Sequence, residues 1–228
     1  MNQQIASRFD APSSRVESGL FSDQLPACWS NTLCMVAREN KTYAAGVSAA
    51  KKLFSERGYD AVSTAEIRQA AGMSNGSLFH HFENKEGIAV AVFVTLVRTY
   101  QAEIGEKLAS THRAADGIEA FIRAHNLWIE RDPDGARILF NGHHPSWSDA
   151  ALKKIRAENQ GFGQALLDWK NNLEDKESLK NWSIALILAT LAGPTQVVCR
   201  AWLSGQSKVP PSDNIENLVK LAQKALLS

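Results

Sequence analysis

The chain has 228 residues, 44% hydrophobic and 21% charged, with 25 Lys and Arg against 24 Asp and Glu for a formal net charge of +1 at pH 7. That is enough apolar material for one or two packed domains at an ordinary charge density, and it excludes a whole-molecule electrostatic attraction to nucleic acid. Cys28, Cys34 and Cys199 have no zinc-type spacing. An odd count with no recognisable disulfide framework fits a reducing compartment.

Residues 1–40 mix Ser, Asn, Gln, Pro and scattered apolar residues with no helical period and no signal-peptide core, and read as a disordered or loosely docked arm. Residues 42–57 form the first predicted helix, with Ala45, Ala49, Leu53 and Phe54 as its buried stripe. Gly46 inside it costs roughly 0.5–1 kcal/mol relative to Ala, and Gly58 ends it. Two short helical patterns then flank a tight turn. Ser63 and Glu66 make a capping box; Ile67, Ala70 and Ala71 form an apolar face; Gly72 suits the left-handed position that ends a helix. Ser74 caps the next helix, which turns Leu78 and Phe82 inward and Asn75, Gly76, Ser77, His80 and His81 outward. Helix, glycine turn and polar-faced helix describe a helix-turn-helix, whose second helix enters the major groove in DNA-binding versions. Residues 41–85 carry six Lys/Arg against four acids, a mild local excess.

Asn84 caps a fourth helix, about 85–110, apolar on nearly all sides of its first half (Ile88, Val90, Val92, Phe93, Leu96, Val97). Asp116 caps a fifth carrying Ile118, Phe121, Ile122, His125, Trp128 and Ile129. Pro133 opens a short helix at 133–141. Residues 142–148 are a loop. Long helices follow at 149–173 and 178–203, the second with a kink expected at Gly193-Pro194; 205–211 is a linker, and 213–227 is a last amphipathic helix. No strand pattern or internal repeat is visible, so the fold class is all-α. The longest apolar runs, at 88–97 and 184–192, fall short of the ~20 residues of a membrane span, so no membrane partner and a cytoplasmic location are expected.

The stretch 49–88 closely resembles the N-terminal DNA-binding domain of TetR/AcrR-type transcriptional repressors. The match runs through Ala49-Ala50, Leu53-Phe54, Gly58-Tyr59, Ser63-Thr64, Ile67, Ala71-Gly72, Ser74, Gly76, Leu78, Phe82 and Lys85 with the spacing intact. The rest of the chain matches only in layout. The resemblance implies a three-helix helix-turn-helix DNA-binding domain at 41–87, followed by a larger helical effector-binding and dimerisation domain at 88–228, with 1–40 as an extension. It also implies that Met35 is the natural start, since it lies at the family's usual distance from the motif; the opposing expectation is an arm that uses Arg8, Arg15 and Arg38 on DNA.

On the DNA side the family assigns phosphate contact to Thr64 and Lys85, both at helix starts. Ser74, Asn75 and Ser77 lie on the leading turn of the recognition helix, where Asn can pair with an adenine edge; Gly76 clears the approach. Phe79 stands where the family usually has Tyr, so it keeps the packing and loses a hydroxyl. His80 and His81 follow as phosphate contacts. Arg68 replaces a small residue and reads equally as a backbone contact or a solvated surface side chain.

Phe121, His125, Trp128, Phe140, His143, His144, Trp147 and Phe162 fall, with Trp169, in segments that enclose the family's ligand cavity, although aromatic residues at helical spacing also read as plain core. For His125 the plainer reading is a satisfied, half-buried ring. Adjacent histidines such as His143-His144 cannot easily share one tetrahedral ion, no Cys is nearby, and only Asp149 and Glu158 offer acidic help, so no metal or cofactor is expected. Leu186, Val198, Trp202, Leu218 and Leu221 are the candidate dimer interface, since one recognition helix reads only a few base pairs and a two-fold dimer matches a palindrome. The implied protein is a homodimeric repressor, not an enzyme, that is released from a double-stranded DNA operator by an unidentified small-molecule effector. A DNA-binding scaffold without effector is the alternative, and an all-α enzyme around His125, His143 and His144 a remoter one, lacking any recognisable triad context.

Overall fold

The computed structural model describes residues 27–140 and 147–227, with side chains described from residue 41. The chain divides into two compact units, Met1–Asn40 and Lys41–Ser228. Among the described residues the regular structure is all helical: α1 (Ala27–Arg57), α2 (Thr64–Ala70), α3 (Asn75–His81), α4 (Lys85–Ala109), α5 (Ala114–Arg131), α6 (Pro133–Phe140), α7 (Asp149–Asn171), α8 (Ile184–Leu203) and α9 (Ile215–Leu227), with 3-10 turns at Lys176–Leu179 and Pro211–Asn214.

Most starts follow from their caps. Asn84 Oδ1 accepts from the Gly87 N–H at 2.8 Å, Ser148 Oγ from Ala151 at 3.3 Å and Ser183 Oγ from Leu186 at 3.2 Å. Three starts differ from the expectation. The backbone of α1 is helical from Ala27, ahead of residue 42, because no Gly or Pro interrupts the sequence between Ala27 and Gly46; Arg8 and Arg15 of the expected arm lie outside the described residues. The α5 helix starts at Ala114 rather than behind an Asp116 cap, because its first N–H is taken by Asp175 Oδ1 at 2.8 Å from another part of the chain. The helix expected from 178 starts at Ile184, with a 3-10 turn before it. The α8 helix continues through Pro194, which lies inside it.

Two apolar cores hold Lys41–Ser228 together. One joins the inward faces of α1–α3 (Val47, Ala50, Phe54, Ile67, Leu78, Phe82) to Ile88, Val92 and Leu96 of α4, Trp128 and Ile129 of α5, and Cys199 and Leu203 of α8. The other gathers Ile104 and Leu108 of α4, Ile118, Phe121 and Ile122 of α5, Trp169 of α7, Ile187 and Leu191 of α8, and the inner stripe of α9. Helices α4, α5 and α8 contribute to both, and of these α4 and α8 stand out in composition. These two are also long and apolar enough, by length and composition, to cross a membrane, with mean hydropathies of 1.3 and 1.5. The run-length expectation missed this, because averaging over a helix tolerates interruptions such as Thr95 or Gly193-Pro194. In this fold both supply core.

Candidate DNA interface and effector site

The helix-turn-helix is built on a set of local hydrogen bonds. Ser63 Oγ accepts from the Glu66 N–H at 3.2 Å, and Glu66 Oε2 accepts from the Ser63 N–H at 2.8 Å. Arg57 reaches Glu66 Oε1 at 2.7 Å and the Ala61 carbonyl at 2.7 Å, tying the end of α1 to the start of α2. These donors, the Ser63 N–H foremost, then the Ser63 hydroxyl and Arg57, lower the Glu66 carboxyl to about 2. The turn passes through Gly72 at φ 63°, a conformation that favours glycine. Arg68 is not a freely solvated side chain: its Nη1 donates to the Met73 carbonyl at 3.3 Å and clamps the turn.

Gly46 has a packing reason. A Cβ there would lie 2.8 Å from Cε2 of Phe82, whose ring stacks on Tyr43 at 5.1 Å. The missing side chain admits the ring that closes the inner side of the recognition helix.

Ser74, Asn75, Gly76, Phe79 and His80 are exposed on α3 and its cap, while Thr64, Ser77, His81 and Lys85 are half-buried. Phe79 is 53% exposed, an unusual setting for a large apolar ring. Ser74 Oγ is engaged by the Ser77 N–H at 3.1 Å, so it positions α3. A Cβ on Gly76 would meet nothing within 4 Å, so that side of the helix is open. His81 packs edge-on against Tyr43 at 6.1 Å. Lys85, on the first turn of α4, lies 4.3 Å over the Tyr59 ring and donates to the Asp60 carbonyl at 3.4 Å.

Tyr100 of α4, which sequence reasoning missed, packs against both cores and gathers three of the expected effector residues around it, with a fourth, Phe121, reached through His125. Tyr100 packs against Trp128 at 5.3 Å, Phe140 at 5.6 Å and His125 at 5.6 Å. Phe121 and Phe140 flank the His125 ring at 6.2 and 5.4 Å. The signal available for Tyr100 was its place three residues past the apolar run of α4, on the same face as Leu96 and Val97, where an aromatic side chain is out of keeping with its polar neighbours. His125 is fully buried, not half-buried, and only half satisfied. Its Nδ1 lies 2.7 Å from the Tyr100 hydroxyl; its Nε2 has no partner. If Nδ1 carried the proton, both the Tyr100 O–H and the Nε2 lone pair would be left over. With Tyr100 donating to Nδ1, only one group is left over, an Nε2–H. Burial lowers His125 to about 4 and raises Tyr100, so both are neutral near pH 7.

The remaining expected residues fall elsewhere. Phe162 lines a separate cleft of about 470 Å³ between α4 and α7, with Leu108, Leu166 and Trp169. Trp147 packs on Phe93 at 6.0 Å. His143 and His144 lie outside the described residues. Of the interface candidates, Leu186 and Leu221 are 53% and 54% exposed, and Val198 and Trp202 are half-buried. Leu218 is a correction: it is buried in the core of its own chain with Ile215, Val219 and Ala222, because the inward stripe of α9 passes through it. Val197, missed from the sequence, is 68% exposed; the inward stripe of α8 steps by four through Ile187, Leu191, Thr195, Cys199 and Leu203 and leaves Val197 on the opposite side.

Polar contacts connect these regions. Lys51 of α1 meets both oxygens of Asp132 at 2.9 and 3.0 Å, and Ser55 donates to Asp134 at 2.9 Å. Asp132 also accepts from the Gly135 N–H at 3.0 Å, starting α6, and α6 ends at Phe140 against His125.

Comparison with known proteins agrees with this geometry. Residues 47–92 match the family model for bacterial regulatory proteins of the tetR family. The HTH-type transcriptional activator FasR of Mycolicibacterium smegmatis is 24% identical over 76% of this chain and 78% of its own. Several other curated relatives match over only a quarter to about half of their own length. Among solved structures, the transcriptional regulator FadR of Bacillus subtilis, in complex with stearoyl-CoA, aligns with a TM-score of 0.66 at 17% identity, over 79% of this chain and 97% of that one. AibR, in complex with isovaleryl coenzyme A and operator DNA, aligns at 0.65 and 17% over the same shares. A capped helix-turn-helix that matches the tetR family's DNA-binding domain over residues 47–92, continued by the helical fold of the solved neighbours, supports a TetR/AcrR-type transcriptional regulator.

Proposed function

We propose that the protein is a homodimeric repressor that binds a palindromic operator and is released from it by a small molecule. Residues 41–87 serve as the DNA-binding part and 88–228 as the effector-binding and dimerisation part, acting in the cytoplasm where the DNA is. Asn75 and Ser77 read base edges from the open side of α3, with Phe79 beside them and Gly76 allowing close approach. Thr64, His80, His81 and Lys85 hold phosphates, and Ser74 orients the helix. The exposed apolar residues of α8 and α9, Leu186, Val197 and Leu221, with half-buried Val198 and Trp202, form the two-fold contact.

The observation that carries the reading is the run of contacts from the aromatic cluster to α1. A ligand that moves Phe140 shifts α6. Asp132 and Asp134 at the start of α6 hold Lys51 and Ser55, so the shift reaches the helix that packs under the recognition helix. Ligand and operator then weaken each other reciprocally. That FadR and AibR were solved with acyl-coenzyme A ligands, AibR also with operator DNA, supports both partner classes.

A second reading, a DNA-binding scaffold without effector, draws on the way Tyr100, Trp128 and Phe140 fill space against one another. The unpartnered His125 nitrogen argues against it, since a self-filled core gains nothing by burying an unmet donor.

Sedimentation of the protein with fragments of its own genome that it retains tests the reading. The expected complex has two chains per bound site; one chain per site, or retention without sequence preference, would overturn it.

A further inference from the structure

The buried imidazole of His125 has one nitrogen engaged and one not. Tyr100 fixes the ring by donating to Nδ1 at 2.7 Å, and the two ring nitrogens point to opposite sides, so the Nε2–H is aimed away from Tyr100 into apolar surroundings where it meets no acceptor. The other buried polar groups nearby are already committed. Asn126 Nδ2 donates to the Ile122 carbonyl at 2.7 Å, Asn126 Oδ1 faces the Cys199 thiol at 3.7 Å, and Thr195 donates to the Leu191 carbonyl at 2.7 Å. A buried donor left unmet is destabilising, a standing incentive to accept a partner from outside the chain.

We propose that the His125 Nε2–H is the polar anchor of the effector site and takes the carbonyl oxygen of an uncharged, mainly apolar ligand, a ketone or an ester. The inference rests on the effector reading above and names its ligand class. Three features select that class. The donor is neutral, since burial lowers His125 to about 4, and it offers a single hydrogen bond. The rings in contact with the imidazole, Phe121, Phe140 and Tyr100, carry no cation to offset a buried anion. A carboxylate in such surroundings stays strongly unfavourable, whereas a carbonyl needs only one donor. Tyr100 acts as a positioning residue, because its hydroxyl keeps the proton on Nε2.

The test uses the full chain labelled with ¹⁵N-histidine and two probes, 2-octanone and octanoate. The His125 signal is identified by its loss in His125→Phe. In the free protein it should be that of a neutral ring protonated on Nε2. Adding 2-octanone should move the Nε2–H proton downfield, octanoate should leave it in place, and His125→Phe should bind 2-octanone about tenfold more weakly. Tyr100→Phe preserves the ring volume, so it keeps the question open to measurement if His125→Phe does not fold; in it the Nε2–H signal should no longer be that of a single tautomer, and 2-octanone should bind more weakly. No response of the Nε2–H to 2-octanone, equal binding by His125→Phe, or binding of octanoate as strong as that of the ketone would overturn the proposal. Equal binding by His125→Phe with release of DNA intact would leave the effector reading standing, whereas failure of every compound in a broad library to release bound DNA would remove the effector reading as well.

Discussion

Lys51 and Asp132 offer the sharpest test of how the DNA-binding helices are tied to the rest. Their side chains are 29% and 27% exposed, and the ammonium meets both carboxylate oxygens at 2.9 and 3.0 Å. A fully exposed pair contributes about 0.2–1 kcal/mol, and a hydrogen bond to a charged group about 1.5–3 kcal/mol. At this exposure a coupling of about 1 kcal/mol is expected. Lys51→Met should destabilise by about 1–2 kcal/mol. Asp132→Ala should destabilise by about 2–3 kcal/mol, because it also removes the acceptor for the Gly135 N–H, a cap contributing about 1 kcal/mol. The double variant should fall short of the sum by the coupling energy. Urea unfolding at one fixed protein concentration measures all three. If the pair also transmits effector binding, Lys51→Met should reduce the effector's weakening of operator affinity about fivefold, the same 1 kcal/mol expressed as linkage. Additivity within about 0.3 kcal/mol, with an unchanged effector response, would refute the reasoning.

His125 predicts an acid sensitivity. Its folded value, about 4, lies below the ordinary 6.5, so the unfolded chain takes the proton first; the stabilisation is complete above pH 6.5 and is lost as pH falls toward 4, by about 3 kcal/mol in all. Unfolding midpoints across that range should show this slope in the wild type and lose it in His125→Phe. Gly46→Ala should destabilise by about 1–3 kcal/mol through the clash with Phe82, despite Ala's better helix propensity, and a raised melting temperature would contradict that packing. Lys85→Ala should weaken binding to all DNA about equally and lower the salt slope by about one, whereas Asn75→Ala should relax preference at one base position; anisotropy titrations on matched and mismatched duplexes separate the two.

The helix-turn-helix was legible because its determinants are local. The Ser63–Glu66 box, the Gly72 turn and the Ser74 cap act across three or four residues, and each appears in the structure at hydrogen-bond distance or in the left-handed conformation it was expected to adopt. What escaped was set by distant partners. Asp175 moves the start of α5, and Tyr100 joins His125 from a different helix. Leu218 shows the same limit in another form. An amphipathic stripe identifies which residues are apolar together, but which side faces the chain's own core, and which faces a neighbour, depends on how the helix is rotated against elements far away in sequence.

Selection of bound sequences from a random pool of duplex DNA, with the purified protein at stated salt, tests the central claim most directly. The account predicts a palindromic consensus with half-sites about one helical turn or more apart, from which binding to scrambled duplexes differs by a large factor. No enrichment above non-specific binding, from a protein shown to be folded and dimeric, would contradict it.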